Sequence, residues 1–175
     1  MDLSLIGYVE TDTPLHVILL RLLIAAILGG AIGFEREAHH ENAGLRTHIL
    51  VATAACLFSL LAFEIQLLGL EAGSNNPDPI RAVEAVTAGI AFLGAGAIFQ
   101  QRGSVQGLTT GAGMWLAGAI GITVAMGHYT VALTVSFFAL VVLWALRAFA
   151  HVTIGHKPLK EDEGTTATDR HKGKS

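Results

Sequence analysis

The sequence predicts an all-α, polytopic helical membrane protein with about five transmembrane helices, its N-terminus outside and its C-terminus inside. Three observations lead there. Of 175 residues, 52% are hydrophobic and only 14% charged, against a usual charged share of about 25%. Beyond Arg102 no Asp, Glu, Lys or Arg occurs until Arg147, a gap of 44 residues. A hydrocarbon core about 30 Å thick takes about 20 helical residues per crossing, so this gap suits two spans rather than one. Finally, small residues recur at helical spacing, the pattern that lets helix backbones approach closely in lipid.

The first span is expected from Leu15 to Phe34, with Ala25, Gly29 and Gly33 four apart. The preceding MDLSLIGYVETDTPLH carries Asp2, Glu10 and Asp12 without Lys or Arg. A secretory signal peptide wants positive charge there, so a retained anchor is expected. Glu35 to His48 is amphipathic and charged and is expected at the membrane surface. The second span runs from His48 to Leu70. Glu71 to Arg81 reads as a loop because Gly, Asn-Pro and Asp-Pro bias the chain out of helix. The third span is placed at Ala82 to Phe99 and is followed by the polar turn Gln100 to Ser104. The fourth and fifth, Gly107 to Met126 and Tyr129 to Phe149, turn at Gly127-His128-Tyr129. Residues 1–150 thus form the transmembrane domain. Residues 151–175 are a short polar tail whose composition cannot bury a core.

Lys and Arg in short loops set the orientation. With the N-terminus outside, the inner segments hold Arg36, Arg46, Arg102, Arg147, Lys157 and Lys160, and the outer ones hold Arg81. No period of 20 to 50 residues repeats, which leaves an internal-repeat transporter without support.

Three ionisable residues, Arg21, Glu64 and Glu84, fall within expected spans, where a charge costs at least about 2.5 kcal/mol. Counted from the span ends, Arg21 and Glu64 both lie about 9 Å deep. Their similar depth suggests an intramembrane cluster in which Arg21 bridges one or both carboxylates. It reads either as an ion pair that fixes helix register or as a polar pocket open to the outside for a proton or cation.

Glu35, Glu37, His39, His40 and Glu41 invite a metal reading. Adjacent charges do not converge on one helical face, and His39-His40 lacks a second spaced pair, so a solvated surface helix is expected and no metal or cofactor is assigned. GAGAIFQQRG wants a strand and a soluble βαβ unit before it can read as nucleotide-binding. Ser59, Ser104, Thr109 and Thr110 lack a nearby His-carboxylate pair, and no enzyme is expected. Cys56 is alone, which excludes an intramolecular disulfide. Trp115 and Trp144 read as packing residues and Tyr129 as an interfacial anchor. A net charge of -3 without a basic face argues against a nucleic-acid partner.

RLLIAAILGGAIGFERE from Arg21, AGLRTH from Ala43, DPIR from Asp78, and GIAFLGAGAIF with GSVQGLTTGAGMWLAGAIG together resemble the bacterial MgtC/SapB family. The match covers about Leu15 to Leu146 in uninterrupted order. The resemblance implies a bacterial inner-membrane protein with about five spans. It also implies a link to growth in low Mg²⁺ and to survival inside host cells, exerted by restraining the proton-driven ATP synthase. By motif position, Arg21, Glu35, Arg36, Glu37, Gly44, Arg46, Thr47 and His48 match the family's first-span and inner-loop pattern. Gly94, Gly96, Gly103, Gly107, Leu108, Thr109 and Thr110 match its third- and fourth-span pattern. Helix packing is further assigned to Gly111, Gly113, Ala117 and Gly121, either inside one chain or between copies. Many members carry a further cytosolic domain where about 25 residues follow here. Many also show an Ala-Gln pair and GIGFLGAG where this chain has Glu84-Ala85 and Ala91.

Two functions stand against each other. One is a non-enzymatic regulator that binds a membrane partner, with lipid and a possible second copy around it. The other is a small cation or proton permease using Arg21, Glu64 and Glu84.

Overall fold

A computed structural model describes residues 11–71, 78–101 and 104–153. In chain order the elements are α1 (Leu15–Ala38), α2 (Leu45–Glu71), α3 (Pro79–Ala97), β1 (Phe99–Gln101), β2 (Ser104–Gln106), α4 (Leu108–Ala125) and α5 (Tyr129–Thr153). Helices α1, α2, α4 and α5 are long and apolar enough to cross a membrane. The chain is an all-α polytopic membrane protein. Helix α3, which carries Arg81 and Glu84 among its 19 residues, is not one of the four. Two compact units divide the chain, residues 1–142 and residues 143–175. The described part of the second is the remainder of α5.

Glycine and alanine hold the first unit together. A Cβ at Gly29 would lie 2.6 Å from Ala52 Cβ, and one at Gly33 would lie 2.8 Å from Leu45 Cα. The expected Ala25, Gly29, Gly33 stripe is therefore the contact between α1 and α2. On α4, Gly121 faces the Ala52 carbonyl, so the Gly113, Ala117, Gly121 stripe packs inside the chain, against α2. Gly118 receives Ile90, and Gly111 meets Gly94 with a would-be Cβ 3.1 Å from its carbonyl, which seats α3 on α4. Without a hydrophobic force between helices in lipid, such close approach supplies the van der Waals contact that joins them.

Several boundaries move. The first helix continues past Phe34 to Ala38, so Glu35, Arg36 and Glu37 stand on a span and not on a separate surface segment. Phe99 leaves the third span for a two-stranded antiparallel hairpin, with Phe99 opposite Gln106 and Gln101 opposite Ser104. The hairpin ends at Gly107, whose φ of +84° opens α4. No other residue fits there, because a Cβ would also strike the Ala97 carbonyl. Asp78 caps α3 by accepting from Ile80 N at 3.0 Å, with Pro79 in the first turn. Gly103, residues 72–77 of the expected loop, and the tail from 154 lie outside the described residues.

Candidate functional site

The ends of α1, α2 and α4 that adjoin the hairpin enclose a polar centre. Arg36 is 1% exposed in the last turn of α1, where a cation suits the helix dipole. Its Nη2 donates to Thr110 Oγ1 on α4 at 2.8 Å and pairs with Glu41 Oε2 at 3.1 Å. Next to it His48, on α2, is fully buried. Its Nδ1 lies 2.9 Å from the Gly44 carbonyl. A carbonyl only accepts, so Nδ1 carries the proton and Nε2 of the neutral ring is an acceptor. That Nε2 faces Gly113, where a Cβ would stand 3.0 Å away. Among the described residues neither His48 Nε2 nor Arg36 Nε finds a partner. Buried polar atoms seldom stay unpaired without a reason.

The corner between α1 and α2 is tied by Glu37, whose Oε2 accepts from Leu45 N at 2.7 Å and caps α2. Gly44 leaves room for it, since a Cβ there would lie 2.6 Å from the same oxygen. The inner-loop motif and the start of α4 thus meet in space, although more than 60 residues separate them in sequence. Arg36 corrects the expectation of a solvated surface helix. Its partners there are Glu41 and a threonine, and among the described residues no group of three metal-ligating side chains assembles.

At the opposite end of the unit, Arg21 Nη1 donates to the Ala125 carbonyl at 2.9 Å and Nε approaches Tyr129 Oη at 3.4 Å. Ala125 is the last residue of α4, where carbonyls lack helical partners. Arg21 therefore closes α4 much as a C-cap does. Arg21 and Arg36 are fifteen residues apart on α1, and Thr110 and Ala125 are fifteen apart on α4. The two helices run antiparallel, and α1 grips α4 at both ends over about 22 Å.

The expected Arg21, Glu64, Glu84 cluster does not form. Glu64 takes the backbone N–H groups of Asp12 and Thr13, each at 2.9 Å. Glu84 is exposed on α3. Depth explains the difference: α2 has 27 residues, about 40 Å of helix, and its last turns rise past the start of α1. Glu64 thereby stands level with residues that precede the first span, not beside Arg21.

The other motif residues are dispersed. Arg46, Leu108 and Thr109 are exposed. Thr47 lines a groove of about 490 Å³ with Asn42, Phe92 and Met114. Nothing stands within 4 Å of a Cβ at Gly96. Glu35 lies 3.6 Å from His39 in an i,i+4 pair. Sequence reasoning missed Gly118, Glu41 as the partner of Arg36, and the Ala125 carbonyl. Gly118 was detectable, since it stands seven residues after Gly111 on the same helical face; a backbone carbonyl leaves no signal in sequence.

Against known proteins, the MgtC family model matches residues 22–152. The chain is 37% identical over 125 residues to YhiD of Escherichia coli K12, a protein named as a candidate magnesium transporter, covering 71% of this chain and 58% of that one. It is 37% identical over 128 residues to protein MgtC of Brucella abortus, covering 73% and 50%. With protein MgtC of Salmonella typhimurium it shares 37% over 123 residues, covering 70% and 49%. The chain spans about half the length of these curated relatives. No solved structure matches it.

Proposed function

The chain belongs to the MgtC family, and on that premise we propose that it is a non-enzymatic regulator of the bacterial inner membrane that acts by binding membrane partners when Mg²⁺ is limiting. It is a membrane protein of a family whose members' names are tied to magnesium. One observation carries the regulatory reading: three charges of α1 and α2, Arg21, Arg36 and Glu64, are committed to helix ends or to the chain just ahead of one. Arg21 closes α4, Arg36 binds the first turn of α4, and Glu64 holds the chain ahead of α1. Charges engaged in this way set helix register, the best-attested use of buried ionic groups. A partner is then met by the outer faces of the helices, and the proton-driven ATP synthase is the partner implied by the family resemblance.

The name of the Escherichia coli relative favours a permease reading as the alternative. Purified protein in liposomes, assayed for Mg²⁺, K⁺ and H⁺ flux, separates the two. The regulator is silent in all three assays. Flux that disappears with Glu64→Gln or Glu84→Gln establishes the permease instead.

A further inference from the structure

The polar centre holds one titratable ring that the regulatory reading does not use. His48 is fully buried, in the first turn of α2. Glycines make its place: on α1 a Cβ at Gly33 would stand 2.9 Å from His48 Cβ, and on α4 one at Gly113 would stand 3.0 Å from Nε2. The ring is thus wedged where α1, α2 and α4 meet. Its bond to the Gly44 carbonyl keeps a proton on Nδ1, so the next proton goes to Nε2 and turns that atom from acceptor to donor. Gly113 stands inside α4, where backbone groups are spent on the helix, and among the described residues Nε2 has no partner.

The charges around the ring decide what that proton does. From α1 comes Arg36, whose charge acts on the ring. Its guanidinium is 1% exposed and holds Glu41 of the α1–α2 corner at 3.1 Å. Glu37, near the end of α1, is spent on Leu45 N, and Glu35 faces His39. Along α2 the nearest ionisable side chain in sequence is Arg46, which is exposed. Helix α4 contributes no ionisable residue in Leu108–Ala125, and the two charges of α3, Arg81 and Glu84, stand toward its far end. Protonated His48 is a second buried cation for one carboxylate. It also sits at the N-terminal, positive end of α2, where a cation is disfavoured.

We propose that His48 is a proton-operated latch: neutral, it closes the junction of α1, α2 and α4, and protonated, it sets a second cation beside Arg36 and parts that junction. The latch rests on the junction alone and is independent of which partner the protein binds. Its direction follows from the two states. An unfolded imidazole takes its proton below about pH 6.5, whereas the closed junction excludes it. Stability is therefore whole above that pH and falls as the pH drops.

The test is SDS titration of the full chain, purified in mixed micelles, at about pH 7.5 and about pH 5.5, either side of the imidazole range. Proton uptake by one ordinary imidazole in the unfolded state alone raises the unfolding constant about tenfold between these values. His48→Asn keeps a donor for the Gly44 carbonyl and takes no proton, so the parent's unfolding constant rises about tenfold more than the variant's. The exposed His16, His39 and His40 are present in both proteins and cancel. Equal pH dependence in parent and variant, the outcome for a ring that only fills space, overturns the latch. A second readout needs no substitution at 48. Cys56, fully buried on α2, is alkylated only when the helices part. Divided by the rate of a free thiol at the same pH, its rate rises several-fold on the same acidification. A ratio that stays constant or falls overturns the proposal even where His48→Asn does not fold.

Discussion

Replacing Thr110 by Val tests the polar centre most directly. Shape is kept and one acceptor is lost. The Arg36 guanidinium that used it is 1% exposed, so water cannot take the place of the hydroxyl. A hydrogen bond to a charged group contributes about 1.5–3 kcal/mol, and Glu41 at 3.1 Å still neutralises the cation. The expected loss is therefore about 2 kcal/mol. For a protein of this size that corresponds to a fall in Tm of about 4–8 °C. Arg36→Met leaves Glu41 behind, but that carboxylate is 37% exposed and is solvated, so the cost stays about 1–3 kcal/mol. Because the two residues share one bond, the double variant loses less than the sum, by about 1–2 kcal/mol. SDS titration of purified protein in mixed micelles reads all three variants against the parent. A Thr110→Val protein within about 0.5 kcal/mol of the parent, or strictly additive losses, refutes the buried clamp.

Other substitutions probe the remaining contacts. Arg21→Met strands the Ala125 carbonyl and costs about 1–3 kcal/mol, while Glu64→Gln costs less because one oxygen still accepts; in the double variant the losses add to within about 0.5 kcal/mol, whereas an Arg21–Glu64 ion pair makes them non-additive. Gly121→Ala drives a methyl into the Ala52 carbonyl and costs about 1–3 kcal/mol in the same titration; Gly30→Ala meets side-chain carbons of Ile49 and Leu45, the nearest Ile49 Cγ1 at 3.2 Å, and no backbone, and costs less. Gly107→Ala lowers Tm more than Gly127→Ala does: both positions have positive φ, but only the first also places a Cβ against backbone, at Ala97.

Much of this was legible in the sequence, for a reason that differs from element to element. Small-residue spacing marks a helix face whatever packs on it, so Gly29, Gly33, Ala117 and Gly121 were placed on contact faces before any partner was known. Which partner was not legible, since the same stripe serves α2 or a second copy equally well. Charge misled twice. EREAHHE reads as a surface segment by composition, yet Arg36 continues the face of Gly29 and Gly33 by seven and three residues, and burial follows the face. Glu64 was placed by counting from an expected span end, and counting does not reveal that α2 outruns α1. The short hairpin after α3 was hidden because three-residue strands carry no periodicity worth reading.

The two arginines of α1 explain one another. An arginine near lipid is costly unless something anionic or carbonyl meets it, and helix ends are where a membrane helix offers unpaired groups. Helix α4 presents a threonine in its first turn and a free carbonyl at its last residue, fifteen positions apart, and α1 supplies an arginine for each at the same separation. A slide of α1 along α4 by one turn, about 5.4 Å, would release both bonds at once, taking the Ala125 carbonyl from Arg21 and leaving Arg36 with Glu41. The α1–α4 register is therefore fixed at two distant points, with α2 wedged against both by Gly29, Gly33 and Gly121. Helices locked this way form the rigid part of the molecule.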